Sequence, residues 1–370
     1  MSTNNVNVNS SRLTIINNSK SKNNGILFAI FISIIIIVVV SMFLSKSVRV
    51  YRTTNNMNLY IRFQTMKSMK LSEIKDYKLA DFYVASSYNS ALPGFQLFDY
   101  VSSDIVKKIM QTGCRFLDFQ IFSDKYSHDS DPVVSSGYKV GEWKLTLNVE
   151  KLESIFKTIA DNAFRVFDGY DGTPNNQDPI FINLDLKTNN NYLVNNRIQK
   201  LLLKYFRPNL LDPGYNYQVK EIGTVPLKDL MGKIIIFASE GFQGSTLEEI
   251  VNYSWTFSKL KRLHHSVLET SSNLKDIKQK TSNMSMDQQL KNTASLIEYD
   301  KLKKFNKRGL TMVYPHNEGD FLTKNYDPIL PWSLGCQFVM MNFQKVDSNM
   351  DVYINKFKNK AFLLKPKELR

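Results

Sequence analysis

Cysteine is scarce in this chain of 370 residues: only Cys114 and Cys336 occur, each inside an apolar segment. That scarcity argues against a secreted scaffold held by disulfides and predicts two buried free thiols. Dense Lys and Arg runs interleaved with aromatic residues are also missing, although the formal net charge is +14. The charge favours an anionic partner, either a membrane surface or a nucleic acid, and the missing runs argue against the nucleic acid.

Charged residues are absent from one long stretch, which covers residues 26–44 and reads ILFAIFISIIIIVVVSMFL. Its length matches the roughly 20 residues that a helix needs to cross a bilayer. A cleaved signal peptide is the alternative, but its apolar core usually has about 7 to 15 residues and is followed by small residues at the cleavage site. The stretch therefore predicts a permanent single-pass membrane helix, preceded by a polar tail at residues 1–25.

Basic residues flank this stretch on both sides, with a small excess on the C-terminal side. Because positive residues favour the cytosolic side of a membrane, the excess predicts a cytosolic location for the large domain. The residues concerned are Arg12, Lys20 and Lys22 before the stretch, and Lys46, Arg49, Arg52 and Arg62 after it.

After a juxtamembrane segment at residues 45–78, apolar runs of strand length alternate with longer segments of helical period. Strand and helix in alternation predict an α/β fold with a parallel sheet, and the chain length suits a (β/α)₈ barrel of the TIM type. The strand-length runs are residues 81–87, 116–122, 179–186, 233–239, 310–315 and 336–343.

A polar segment at residues 241–292 lacks a clean strand and is interpreted as a linker between two barrel halves, at residues 79–240 and 293–370. His264 and His265 lie in this linker next to basic residues. We interpret both histidines as part of a solvated basic helix face.

Polar residues alternate with apolar ones in two of the runs. Asp118 and Gln120 would project from one face of their strand, and Asn183, Asp185 and Lys187 repeat the pattern in the next strand. Such residues fit a site at the C-terminal end of a barrel, where these folds keep their functional groups. An antiparallel strand with one solvated face would show the same pattern.

Ordered blocks of sequence resemble the X and Y halves of phosphoinositide-specific phospholipase C, from about Leu79 to Arg370. The resemblance implies a TIM barrel that cleaves phosphoinositides with calcium, using two histidines and a metal held by an Asn and three carboxylates. The blocks are ASSYNSALPG (85–94), TGCRFLDFQIFSD (112–124), DPIFINLDL (178–186), MVYP (312–315), WSLGCQFVMMNFQ (332–344) and LKPKELR (364–370).

The resemblance places Tyr88 and Ser136 at the two histidine positions of the family. An unperturbed tyrosine titrates near pH 10 and serine is a far weaker acid, whereas proton transfer at neutral pH needs a pKa of about 7. No catalytic residue of the family is therefore expected to be intact.

At the family's metal positions, the resemblance implies that Asn89 is kept, Asp118 and Asp185 replace longer glutamates, and Gln120 replaces an aspartate. Because calcium affinity falls with the charge of the ligand set, these residues predict a weak calcium site or none. The phosphate contacts differ as well. Phe237 and Ser239 stand at lysine positions, Met312 stands at an arginine position, and Tyr314 is retained.

Three functions remain open. The first is a catalytically inactive, membrane-anchored phospholipase-C-like protein that binds anionic lipids or a membrane protein. The second is an active calcium-dependent phosphodiesterase of altered chemistry, with a contribution from Tyr88 or His316. The third is a generic basic protein that binds anionic surfaces. In that case, salt would abolish binding regardless of the lipid headgroup.

Overall fold

The computed structural model describes residues 25–41, 45–63, 65–95, 98–125, 127, 129–256, 258–272, 297–315 and 324–370. The chain divides into two compact units, Met1–Tyr51 and Arg52–Arg370.

The first helix, α1, spans Gly25–Ser41, and the next, α2, spans Lys46–Phe63. Residues 42–44 of the predicted membrane span lie outside the described residues. Over the part of the chain that is described, no single helix meets the length and apolarity needed to cross a membrane. Gly25–Ser41 and Lys46–Ile61 meet them only when they are taken together.

Eight parallel strands of the second unit form one sheet. Their hydrogen-bonded order is β10 (Arg262–His264), β11 (Met312–Tyr314), β12 (Phe338–Met341), β1 (Phe82–Ser87), β2 (Phe116–Ser123), β7 (Ile180–Leu186), β8 (Ile234–Ala238) and β9 (Tyr253–Ser254), so β12 pairs with β1, as in a (β/α)₈ barrel. The predicted α/β barrel is confirmed. The strands are β1 Phe82–Ser87, β2 Phe116–Ser123, β3 Pro132–Ser135, β4 Gly137–Tyr138, β5 Trp143–Lys144, β6 Glu150–Lys151, β7 Ile180–Leu186, β8 Ile234–Ala238, β9 Tyr253–Ser254, β10 Arg262–His264, β11 Met312–Tyr314, β12 Phe338–Met341 and β13 Phe362–Leu364.

Helices connect many of these strands and bury one apolar face each. In the fourth helix, Ile105, Val106 and Ile109 are fully buried, and the Ser102 hydroxyl accepts from the amide of Asp104 to cap its start. The remaining helices are α3 Leu71–Ile74, α4 Ser103–Gln111, α5 Leu152–Asn162, α6 Tyr192–Phe206, α7 His265–Ser272, α8 Tyr299–Phe305, α9 Ile329–Ser333 and α10 Ser348–Lys356.

Four phenylalanines from four barrel strands fill the interior: Phe116, Phe181, Phe237 and Phe338. All four are fully buried, and the rings of Phe116 and Phe338 lie 4.6 Å apart. Aromatic rings at such distances pack closely and exclude water. These rings therefore fill the barrel interior below the site.

The segment 241–292 differs from the predicted linker because it contributes strands β9 and β10 to the barrel. Strand β10 pairs with β11, with Arg262 opposite Met312 and His264 opposite Tyr314. The prediction of a solvated helix face was wrong for His264. Strands of two and three residues are too short to show a period in the sequence. Residues 273–292 lie outside the described residues.

Both cysteines are buried and free, which confirms the predicted thiols. Burial raises the pKa of the Cys114 thiol and of the Cys336 thiol to about 12.

Because the thiolate is the reactive form, we expect the native protein to react with an aromatic disulfide reagent about 100-fold more slowly than the urea-unfolded chain. Absorbance of the released thiol measures both rates. Equal rates in the two states would contradict the burial of Cys114 and Cys336.

Candidate active site at the barrel mouth

The C-terminal ends of the central strands bring the predicted polar residues to one end of the barrel. Strands β2 and β7 pair so that Asp118 lies opposite Asn183 and Gln120 lies opposite Asp185. Asn89 follows β1 with a backbone φ of 40°, a left-handed conformation that Asn tolerates and that turns the chain at the end of the barrel.

Asp118 is fully buried, and both of its carboxylate oxygens already accept hydrogen bonds. Oδ1 accepts from Asn183 Nδ2 at 2.6 Å, and Oδ2 accepts from the backbone amide of Asn89 at 3.2 Å. Burial raises the pKa of this carboxyl, against the opposing effects of Arg262 and Asn183. Asn183 is fixed in turn by Trp255, whose Nε1 donates to Asn183 Oδ1 at 3.0 Å.

Two amide side chains of the site, Asn89 and Gln120, are hydrogen-bonded to each other. Gln120 Nε2 donates to Asn89 Oδ1 at 3.1 Å, and the amide of Gly137 donates to Gln120 Oε1 at 3.0 Å. Ser136 is buried directly before Gly137, after β3. The side-chain oxygens of Asn89 and Gln120 therefore serve as acceptors within the protein.

An arginine that the sequence analysis did not select completes the site. Arg262 Nη1 donates to Asp185 Oδ2 at 3.2 Å, and the two side chains are only 12% and 13% exposed. Burial opposes the charge of Asp185, but Arg262 and then Lys187 outweigh it and hold the pKa of that carboxyl below its ordinary value. Lys187 Nζ lies 3.7 Å from the same oxygen.

Two aromatic rings enclose the guanidinium. Its central carbon lies 4.3 Å from the ring centroid of Trp255 and 4.6 Å from that of Tyr314. A cation that lies over aromatic rings gains electrostatic attraction in addition to its ion pair. Arg262 Nε is buried and makes no hydrogen bond within the described part of the chain.

Tyr88 and His264 both lie next to the ring of Tyr314. The Tyr88 ring stacks on Tyr314 with centroids 6.2 Å apart, and the His264 ring meets Tyr314 edge-on at 5.3 Å. Burial and then Asp118 raise the pKa of the Tyr88 hydroxyl far above its ordinary value. Ser266 holds the His264 ring, because its amide donates to His264 Nδ1 at 3.2 Å and its hydroxyl lies 2.6 Å from the same nitrogen.

The positions that the resemblance assigns to phosphate contacts have other partners. Phe237 belongs to the aromatic core, and Ser239 Oγ accepts from the amide of Leu186 at 2.8 Å. Met312 is fully buried, whereas Tyr314 reaches the site. His316 lies outside the described residues.

With the Arg262 guanidinium in place, these side chains do not fit a calcium ion. Calcium takes six to eight oxygen ligands, and its affinity rises with the charge of the carboxylates among them. Here the oxygens of Asn89, Gln120 and Asp118 accept internal hydrogen bonds, and Asp185 faces a guanidinium. Over the described ranges, no cluster of three or more His, Cys, Asp or Glu side chains could hold a metal ion.

A cavity of about 400 Å³ opens beside Arg262 at the barrel mouth. Its wall combines aromatic rings, hydroxyls, two cationic groups and one carboxylate, and the carboxylate of Glu240 is paired with Lys139 at 2.8 Å. The lining residues are Glu240, Trp255, Thr256, Ser258, Lys259, Arg262 and Tyr314.

Eight parallel strands with polar side chains at their C-terminal ends define an α/β-barrel protein with its site at the barrel mouth. Family models agree with this class. The X domain of phosphatidylinositol-specific phospholipase C matches residues 75–240, and the Y domain matches residues 257–368. The chain belongs to the phosphatidylinositol-specific phospholipase C family.

Individual relatives are distant and longer. The Mus musculus 1-phosphatidylinositol 4,5-bisphosphate phosphodiesterase beta-2 is 22% identical over 79% of this chain and 29% of the mouse protein. The crystal structure of S. officinalis PLC21 matches 79% of this chain and 38% of its own, with 21% identity and a TM-score of 0.59. The calcium-dependent phosphoinositol-specific phospholipase C of a Pseudomonas species matches 74% of this chain and 93% of its own, at 13% identity and a TM-score of 0.37. The chain thus spans well under half of the mouse and S. officinalis relatives.

Proposed function

We propose that this protein is a membrane-anchored, phospholipase-C-like module that binds anionic phosphoinositide headgroups and does not hydrolyse them. The observation that carries the proposal is the buried ion pair between Arg262 and Asp185. The pair neutralises Asp185, a carboxylate that a hydrolytic site would need as a metal ligand. A binding pocket can use such a pair, because the guanidinium stays charged and fixed.

The groups at the histidine positions support the loss of catalysis. The hydroxyl of Tyr88 is buried, and its raised pKa removes it from proton transfer near neutral pH. Ser136 has no ionisable group in that range. Each missing acid or base typically lowers a rate by about 10²–10⁴-fold.

The cavity supports headgroup binding. Arg262 and Lys259 supply positive charge, Thr256 and Ser258 supply hydroxyls, and the ring of Trp255 offers an apolar face. Lys259 is exposed at this rim, where it can reach a lipid phosphate as a flexible point charge. Positive charges, hydroxyls and an aromatic face together suit a phosphorylated sugar ring at a membrane surface.

The N-terminal segment supports the anchor. Its apolar side chains from Ile26 to Val40 are exposed along α1, which is the exposure expected of a lipid-facing helix. With the basic excess that follows the span, the proposal is a single-pass protein with a cytosolic barrel.

Substitution of Lys259 tests headgroup binding. We expect Lys259→Gln to weaken binding to phosphatidylcholine vesicles containing phosphatidylinositol 4,5-bisphosphate about fivefold, since one lysine near an anionic surface contributes about 1 kcal/mol. Co-sedimentation of the detergent-free chain from residue 52 onward, a compact unit by itself, measures the affinity.

Lys157→Gln is the matched control, because it removes the same charge from helix α5, where Lys157 pairs with Asp161. It should leave vesicle binding unchanged. Equal losses in the two variants, or equal binding to phosphatidylserine vesicles at the same surface charge, would favour a generic basic surface and contradict the proposal.

One observation favours the second candidate, an active phosphodiesterase. His264 lies beside Tyr314 at the site, and Ser266 fixes its ring through Nδ1. An enzyme of this kind would use His264 to protonate the leaving oxygen. It predicts that His264→Ala abolishes a measurable release of diacylglycerol, whereas the binding module has no release to abolish.

A further inference from the structure

The guanidinium of Arg262 lies next to the carboxylates of this pocket. Arg262 donates to Asp185, and the electrostatic field of Asp118 also acts on the guanidinium. The pair is nearly buried, and the rings of Trp255 and Tyr314 both lie against the cation. A buried charge is retained at such a place when another charge compensates it.

The backbone fixes this placement. Strand β10 pairs with β11 in parallel register, and Arg262 lies opposite Met312. The neighbouring Lys261 is held apart, because its Nζ donates to the carbonyl of Ser254 at 2.7 Å and lies over the ring of Tyr253. Only Arg262 of this basic pair therefore enters the pocket.

We propose that Arg262 is the resident cation of the pocket: its guanidinium replaces a divalent metal ion, so the folded protein is indifferent to calcium. Removing the guanidinium would leave the carboxylates of Asp185 and Asp118 without the cation that compensates them. The proposal concerns the same pocket as the proposed function, but metal binding and stability test it without any lipid.

The first test is metal binding by the wild-type protein. Terbium, which mimics calcium, emits when a tryptophan close to it is excited, and Trp255 lies against the guanidinium. We expect no saturable terbium emission from the wild type, and no rise in its melting temperature with about 10 mM calcium.

The second test removes the charge with Arg262→Gln, which keeps a hydrogen-bond donor of similar reach. We expect this variant to melt at a lower temperature than the wild type and to regain about 2 to 4 °C with about 10 mM calcium, together with terbium emission. Arg262→Lys keeps the charge and should remain insensitive to calcium. Arg165→Gln, at an exposed ion pair with Asp168 and Asp171, controls for loss of an arginine.

Each outcome decides the question. Saturable terbium emission from the wild type would overturn the proposal if Trp255→Phe abolishes that emission. A folded Arg262→Gln variant whose melting temperature does not respond to calcium would overturn it as well. If Arg262→Gln does not fold alone, folding on addition of calcium supports the proposal and continued unfolding contradicts it. None of these results depends on whether the protein binds or cleaves a phosphoinositide.

Discussion

Replacing Asp185 with asparagine should destabilise the folded protein by about 3 kcal/mol, because it leaves the Arg262 guanidinium buried without its carboxylate. The two side chains are 3.2 Å apart at their closest polar atoms and only 12% and 13% exposed, so water can replace little of the lost interaction. Urea unfolding at neutral pH, followed by tryptophan fluorescence, measures the change.

The sign of this effect separates a binding pocket from a metal-dependent active site. In a metal-free active site, carboxylates repel one another, and removal of one usually stabilises the fold. Here the carboxylate compensates a fixed cation. Asp161→Asn, in the exposed pair with Lys157, should leave the unfolding midpoint unchanged. A variant Asp185→Asn that is as stable as the wild type would contradict the structural role of the ion pair.

Replacing Lys365 with methionine should stabilise the protein by about 3 kcal/mol at pH 6. Lys365 is only 1% exposed, and burial lowers the pKa of its ammonium group to about 7, against the opposing effects of Cys336 and Asp81. Its Nζ donates to the carbonyl of Asn306 at 3.1 Å, but that oxygen also accepts from Gln337, so the substitution leaves it bonded.

The gain from this substitution should depend on pH in a defined direction. Between pH 7 and about 10 the unfolded chain holds a proton on Lys365 that the folded chain has lost, so the stability of the wild type rises with pH across this window. The cost of burying Lys365 is complete below pH 7 and disappears near pH 10. Unfolding of both proteins at pH 6 and pH 9 should show the difference shrinking. Lys367→Met, at an exposed position, is the control. A Lys365→Met variant that is less stable than the wild type at pH 6 would contradict this interpretation of Lys365.

Long apolar strands made the fold readable from the sequence. The runs containing β2, β7, β8 and β12 are four to eight residues of buried chain, and their alternation with helices predicts the barrel. Strands β9 and β10 were not predicted, because strands of two or three residues among polar neighbours show no hydrophobic period. Their place follows from pairing with strands distant in sequence, which local patterns do not report.

The candidate site shows the same limit. Asp118 and Asp185 could be selected because they alternate with apolar residues on long strands. Arg262 could not, since a Lys–Arg pair in a polar segment is normally solvated, and only the pairing of β10 with β11 turns it inward. The alternation of Arg262, Leu263 and His264, with the middle residue buried, is the one local signal of a strand there.

Product release from vesicles tests the central claim most directly. The full chain would be incubated with phosphatidylinositol 4,5-bisphosphate vesicles and calcium, with the mouse beta-2 relative as positive control, and diacylglycerol would be quantified. We predict a rate below about 10⁻⁴ of the control, at protein concentrations that bind the vesicles, because the proposed function has Tyr88 and Ser136 in place of two proton-transfer groups. Release well above that level, lost on substitution of Asp118 or Asp185 by alanine, would show that this barrel is an enzyme.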